Sequence, residues 1–265
     1  MGLELFGGDQ MPSSYAHYQF GTQVLPTLPA DIRFSVQRYR TLYDLGLQGP
    51  DFFFYYKLGK DTAVKQLAGK YHHRTGRDVF GTICRNLSHP TDGELAYLYG
   101  LLGHYCLDSL CHPLVNEIVG DDSLAHNALE SEFERFLMER SGVRKPHSYN
   151  RGIHLKCSKD QAALISRFYP EARPAQIHEG LNTMSVVLAL LTIHAGAKKV
   201  LELMGDPNPG LLMHKMPDPA YVQYNDALLE GFNRALVLYP ELLQQLHSHM
   251  AFGGELGKEF ENIFG

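Results

Sequence analysis

The chain of 265 residues has no apolar run long enough to cross a bilayer. Its longest, Met184–Ile193, includes Ser185 and Thr192, whereas a spanning helix needs about 20 residues. There is no Cys-x2-Cys pair among the four cysteines, Cys84, Cys106, Cys111 and Cys157. Cys106 and Cys111 fall about 140° apart on one helix and cannot bridge. Reduced, mostly buried thiols in a cytoplasmic protein are therefore expected. No basic residue precedes Arg33, so the basic region of a secretory signal is missing. Phe6 breaks the myristoylation pattern that Gly2 would open. Positive charge is not in excess either: 24 Lys and Arg stand against 29 Asp and Glu, a net charge of −5. That balance argues against a dedicated nucleic-acid surface. Finally, no run alternates with period two, which argues against a sheet.

What is present is apolar periodicity and histidine. At 44% hydrophobic residues, the chain can bury one large core. A single all-α domain over 1–265 is expected. Ser13 or Ser14 can cap a first helix that ends before Pro26. A second runs from Pro29 past Tyr43 to Gly46. Asp61–Tyr71 and Thr75–Asn86 are shorter candidates. Thr91 and Glu94 form a capping box that opens a helix to about His112, with Pro113 expected to end or kink it. Asp122 or Ser123 caps another, through about Arg140. Residues 141–157 are polar and irregular. Further helices are expected over about 159–168, 174–204 and 220–247, with 158–250 supporting a metal-binding half at 11–140.

The 14 histidines are clustered. His104, Asp108 and His112 stand at i, i+4 and i+8. Each step of four residues turns only about 40° around a helix, so all three project into one sector. The next helix offers His126 and Glu130, again at i, i+4. Facing helices with inward His and carboxylate pairs are how helical bundles build metal sites. Imidazole and carboxylate without thiolate suit zinc, with manganese or iron as substitutes.

These residues resemble the zinc-dependent phospholipase C family, whose fold is shared by the fungal single-strand-specific nucleases. The family pattern is His-x3-Asp, a second His, then His-x3-Glu on the next helix, here His104, Asp108, His112, His126 and Glu130. GPDFFFYY resembles the loop that supplies an early aspartate, here Asp51. YHHRTGRDVF resembles the segment that supplies the next histidine, placed at His73 with His72 as the alternative. YAHYQFG supplies His17.

The resemblance implies an all-α fold with two or three Zn2+ ions. One ion takes Asp51, His73, His104 and Asp108. A second takes His17 and a bridging Asp108, and the third takes His112, His126 and Glu130. It also implies hydrolysis of a phosphate ester, with Asp51 helping to deprotonate the attacking water. Exported members complete the second metal with an N-terminal tryptophan, and this chain has no tryptophan. Met11-Pro12 lies six residues before His17, so a chain starting at Met11 would bring its terminus close to that ion.

The run Phe52–Tyr56 beside Asp51 either lines an apolar substrate cleft, through Phe53 and Tyr55, or plugs the core. Tyr15 and Tyr105 are hydrogen-bond donors to the site or core packing. His89, His147, His154, His178, His194, His214, His247 and His249 read as surface or core histidines. The expected function is a metal-dependent phosphodiesterase of phospholipase C type. Its substrate would be a phospholipid head group or a small phosphodiester. The alternatives are a nuclease-like phosphodiesterase and a non-catalytic metal-binding protein.

Overall fold

The computed structural model describes residues 13–120, 122–193, 197 and 212–265. It is all-α. Among the described residues there are ten α-helices and no strand. They are α1 (Ser14–Val24), α2 (Ala30–Arg38), α3 (Arg40–Gly46), α4 (Leu67–His72), α5 (Gly76–Asn86), α6 (Asp92–Val119), α7 (Ser123–Arg140), α8 (Lys159–Ile165), α9 (Pro174–Leu190) and α10 (Asn225–Phe252).

Helix α6 is the axis of the fold. Residues 96–108 are buried on every side of it, which is the pattern of a helix enclosed by others. Thr91 and Glu94 form the expected capping box at its start. Its main partners are α3 on one side and α10 on the other. The contact with α3 is a backbone contact. A Cβ on Gly46 would lie 2.2 Å from the Tyr97 carbonyl, and one on Gly100 would lie 2.2 Å from the Tyr43 carbonyl.

Several local expectations are corrected. Helix α6 does not stop at Pro113 but continues to Val119. A proline inside a helix costs about 3 kcal/mol, and the packing on both sides of α6 offsets it. The helix expected from Pro29 past Tyr43 is broken at Tyr39 (φ −112°, ψ 36°) into α2 and α3. That bend lets α3 lie against α6. Asp61–Gln66 is not α-helical, since the Thr62 hydroxyl accepts the Lys65 amide and supports a turn instead. Asp122, one of the two residues expected to do so, caps α7, and the Thr75 hydroxyl caps α5 at the start of the candidate helix Thr75–Asn86. The last long helix is shifted to Asn225–Phe252. Residues 1–12, 194–196 and 198–211 lie outside the described residues. With them go His194 and the Met11-Pro12 expectation, while the helix expected over 174–204 is corrected, since α9 ends at Leu190 and residues 191–193 turn.

The buried apolar residues form one core that runs from Tyr15 on α1 to Phe264 near the end of the chain. Among the described residues, no helix is long and apolar enough to cross a membrane.

Candidate metal centre

Four helices and one turn bring the polar residues together inside this core. His17 comes from α1, and Asp51 opens the 3-10 turn Asp51–Tyr55. His72 ends α4. His104, Asp108 and His112 come from α6, and His126 and Glu130 from α7. All eight side chains are buried.

They fall into three groups whose nitrogen and oxygen atoms lie within 4.8 Å of one another: His17, His104 and Asp108; Asp51, His72 and His104; and His112, His126 and Glu130. Asp108 joins two partners, with Oδ1 3.2 Å from His17 Nε2 and Oδ2 3.0 Å from His104 Nε2. Asp51 Oδ1 lies 3.0 Å from His72 Nε2 and 3.9 Å from His104 Nε2. Glu130 Oε1 lies 3.0 Å from His126 Nε2 and 3.9 Å from His112 Nε2.

The backbone orients two of the rings. The Ala68 carbonyl lies 2.8 Å from His72 Nδ1, and the Leu47 carbonyl lies 3.3 Å from His104 Nδ1. Each contact leaves Nε2 to face the carboxylates, the arrangement found at metal-ligating histidines. Close approach to His104 also requires glycine at position 49. A Cβ there would lie 2.2 Å from the ring, and the backbone adopts φ +49°.

The donors fit a metal. Asp51 Oδ1, His72 Nε2, His104 Nε2, both Asp108 oxygens and Glu130 Oε2 are buried without a hydrogen-bond partner, although several of these atoms stand close together. Buried polar atoms ordinarily find partners, and here the nearest polar atoms are the other members of the same groups, at 3.0–3.9 Å. Two donors on one tetrahedral zinc, at bonds of about 2.0–2.1 Å, stand about 3.3 Å apart. The 3.0–3.9 Å separations bracket that spacing.

Burial and charge divide the groups. Burial pulls His104 and His112 down to about 4, so both are neutral donors at pH 7. For His72, burial is outweighed by the neighbouring Asp51, and the ring is raised to about 9. His17 is raised by Asp108 against the same burial. Asp108 moves the other way: three histidines overcome its desolvation and hold it well below the carboxylate range. Burial lifts Glu130 to about 7 despite His126.

Three expectations change here. His72, the alternative, faces the cluster. His73 is exposed at the end of α4, with Nδ1 2.7 Å from the Gly69 carbonyl, and belongs to none of the groups. Phe53 is fully buried against Phe52 and the edge of Tyr169 at 5.2 Å, so it plugs the core and lines no cleft. Tyr55 is also buried, while the partly buried Phe54 faces His72 at 6.1 Å. Tyr105 points away from the metal groups and donates to the Glu259 carbonyl at 2.6 Å. His214 does have an acid at i+4, Asp218 at 4.0 Å, but the histidine is largely exposed.

Sequence reasoning missed Glu134. Ser13 makes no side-chain cap to α1. Instead Glu134, fully buried one turn beyond Glu130, accepts the amides of Tyr15 and Ala16, and Arg151 donates to its other oxygen at 2.7 Å. The signal was the spacing Glu130-x3-Glu134, which places both carboxylates on one face of α7.

Comparison with known proteins agrees with this geometry. The family model described as zinc dependent phospholipase C matches residues 16–182, a span that contains all the residues of the three groups. Searches of curated proteins and of solved structures returned no match. With more than half its length matched, the chain belongs to the zinc-dependent phospholipase C family.

Proposed function

We propose that the protein is a metal-dependent phosphodiesterase that cleaves a phosphate ester in the manner of a phospholipase C. The observation that carries this reading is Asp108, whose two oxygens face two different histidines, His17 and His104. A carboxylate so placed is the natural bridge between two cations. Zn2+ held there, in two or three ions with Mn or Fe as substitutes, would supply Lewis acidity and a nucleophilic water near neutral pH.

This chain's own residues do the rest. His72, His104, Asp51 and Asp108 would hold one ion, His17 and the bridging Asp108 a second, and His112, His126 and Glu130 a third. Asp51 would also accept the proton of the attacking water, since its buried carboxylate faces the cluster beside His72 and His104. The apolar surroundings exclude bulk water and strengthen each charge interaction. Phe54, partly buried and facing His72, would replace Phe53 and Tyr55 as the aromatic residue nearest the substrate. The net charge of −5 favours a small phosphodiester or a phospholipid head group over a polynucleotide.

The test is metal analysis of the purified protein together with hydrolysis of nitrophenyl phosphocholine and bis-nitrophenyl phosphate. At least two zinc ions per chain and turnover of the first reporter are expected. Metal without turnover of either reporter would favour the non-catalytic reading, and absence of metal would overturn both.

A further inference from the structure

Every candidate ligand is buried, with His112 and Glu130 the most exposed at 4%. Among the described residues the cluster is almost wholly covered, so what lies over it governs how a phosphodiester reaches it. The residues at the rim come from the far end of the chain. Gly76 donates to the Asn262 carbonyl at 3.0 Å, and Phe264 donates to the Arg74 carbonyl at 2.8 Å. Gly265 donates to the His72 carbonyl at 3.2 Å. Thr75 and Ile263 pair as an isolated antiparallel bridge.

This short pairing delivers Gly265 to the centre. A Cβ on Gly265 would lie 2.5 Å from His72 Cδ2, 3.1 Å from His112 Cε1 and 3.2 Å from His112 Nδ1. Gly265 thus sits against two rings that belong to different metal groups. Those rings lie nearly parallel, 6.5 Å between centroids and 13° between planes. Phe264 closes the third side, its ring 5.8 Å from that of His104 and fully buried.

Resting on the phosphodiesterase reading, we infer that residues 262–265 form an autoinhibitory strap across the substrate entrance. Gly265 occupies the place between His72 and His112 through which a phosphate would reach both groups. The segment before the strap is fixed. Phe260 is fully buried, Tyr105 holds the Glu259 carbonyl, and Arg77 pairs with Glu261 at 2.6 Å. Asn262 is itself held, its carbonyl accepting the Gly76 amide and the Tyr105 hydroxyl. Beyond it the hold is two backbone hydrogen bonds and the buried Phe264 ring against Phe80, Tyr105 and His104, while Ile263 is about half exposed. Opening therefore hinges at Asn262 and withdraws Phe264 from beside His104.

Two forms of the protein test this, one lacking residues 262–265 and one locked by Thr75→Cys with Ile263→Cys. Opposed residues of an antiparallel pair lie within disulfide reach, and each single-cysteine chain serves as its control. The first readout needs no metal: the rate at which diethyl pyrocarbonate modifies His72 and His112 in metal-free protein, with exposed His73 as the internal reference. The second is hydrolysis of nitrophenyl phosphocholine by zinc-loaded protein. The truncated form should react at least ten-fold faster at His72 and His112, and the oxidised lock at least ten-fold slower, with dithiothreitol restoring the rate. Hydrolysis should follow the same order. Gly265→Val, which leaves no room for the new side chain, should behave like the truncation if the shortened chain fails to fold. Equal labelling in the open and locked forms would overturn the strap and make this segment a fixed wall. Ordered labelling with no hydrolysis in any form would keep the strap and overturn the phosphodiesterase reading.

Discussion

The carboxylate of Glu134 is the N-terminal cap of the helix that carries His17. It accepts two amides at the start of α1 and is balanced by Arg151. A negative charge at a helix N-terminus also complements the helix dipole. Because Glu130 stands one turn earlier on α7, a single helix both supplies two members of the third group and fixes the histidine of the second.

Glu134→Gln tests that coupling. The amide keeps one oxygen for the backbone but removes the carboxylate charge that faces the buried Arg151 guanidinium. Breaking a buried pair in this way costs about 3–5 kcal/mol. Urea unfolding should show a loss of that order, and zinc per chain should fall by one at saturating metal. A variant with unchanged stability and full zinc content would show that the cap does not position His17.

Asp108 and Glu130 should fail differently. Asp108→Asn keeps the shape but removes the charge between two cations that would sit about 3.5–4 Å apart. It should lose at least one ion and nearly all turnover. Glu130→Gln should keep the paired ions and only lower turnover. Metals per chain and kcat, measured on both variants in parallel, decide the matter, and the reverse pattern would break the bridging assignment.

The neighbouring histidines separate cleanly. His72→Ala removes a buried donor beside Asp51 and should lower zinc content and the zinc-loaded melting temperature, since bound metal stabilises the fold. His73→Ala alters an exposed ring and should leave both within error. Mass spectrometry under native conditions and thermal melts read the two outcomes.

Asp44 provides a pH dependence outside the centre. Burial lifts its carboxyl to about 6 from 3.8, against the lowering effect of Arg40, whose Nε donates to it at 2.7 Å. A folded pKa above the unfolded one means that protonation favours the fold. The stabilisation is complete below pH 3.8 and is lost as pH rises through about 6. A shift of this size corresponds to roughly 3 kcal/mol. Asp44→Asn should remove that slope, so the stability of variant minus wild type should rise between pH 4 and 6 and then level off. Parallel unfolding curves across this window would contradict it.

The sequence was most legible where one helix carried the whole signal. His104, Asp108, His112, His126 and Glu130 follow helical spacing, and helix geometry alone places them on common faces. Thr91, Asp122 and Thr75 likewise mark helix starts through a local hydrogen bond. Tertiary packing decided what spacing could not. His72 and His73 are adjacent in the chain, and only the way α4 meets the core determines which one turns inward. Phe53 and Tyr55 alternate in a turn whose orientation depends on Tyr169, more than a hundred residues away. The partners of Tyr15 and Gly265 are equally remote, so neither the Glu134 cap nor the strap can be read from the residues on which it acts.

The glycine contact between α3 and α6 has a consequence for the choice of ion. With no side chains between Gly46 and Gly100, the two helices meet at the closest spacing their backbones allow. The chain leaving α3 then sets Asp51 near His104. A methyl group at either glycine would wedge the helices apart and widen the cage around the ion. Zinc bonds its ligands at about 2.0–2.2 Å, whereas calcium prefers about 2.3–2.6 Å and more oxygen ligands. On the proposed zinc reading, the close approach at Gly46 and Gly100 would thus favour a small ion, through positions outside the three groups of candidate ligands.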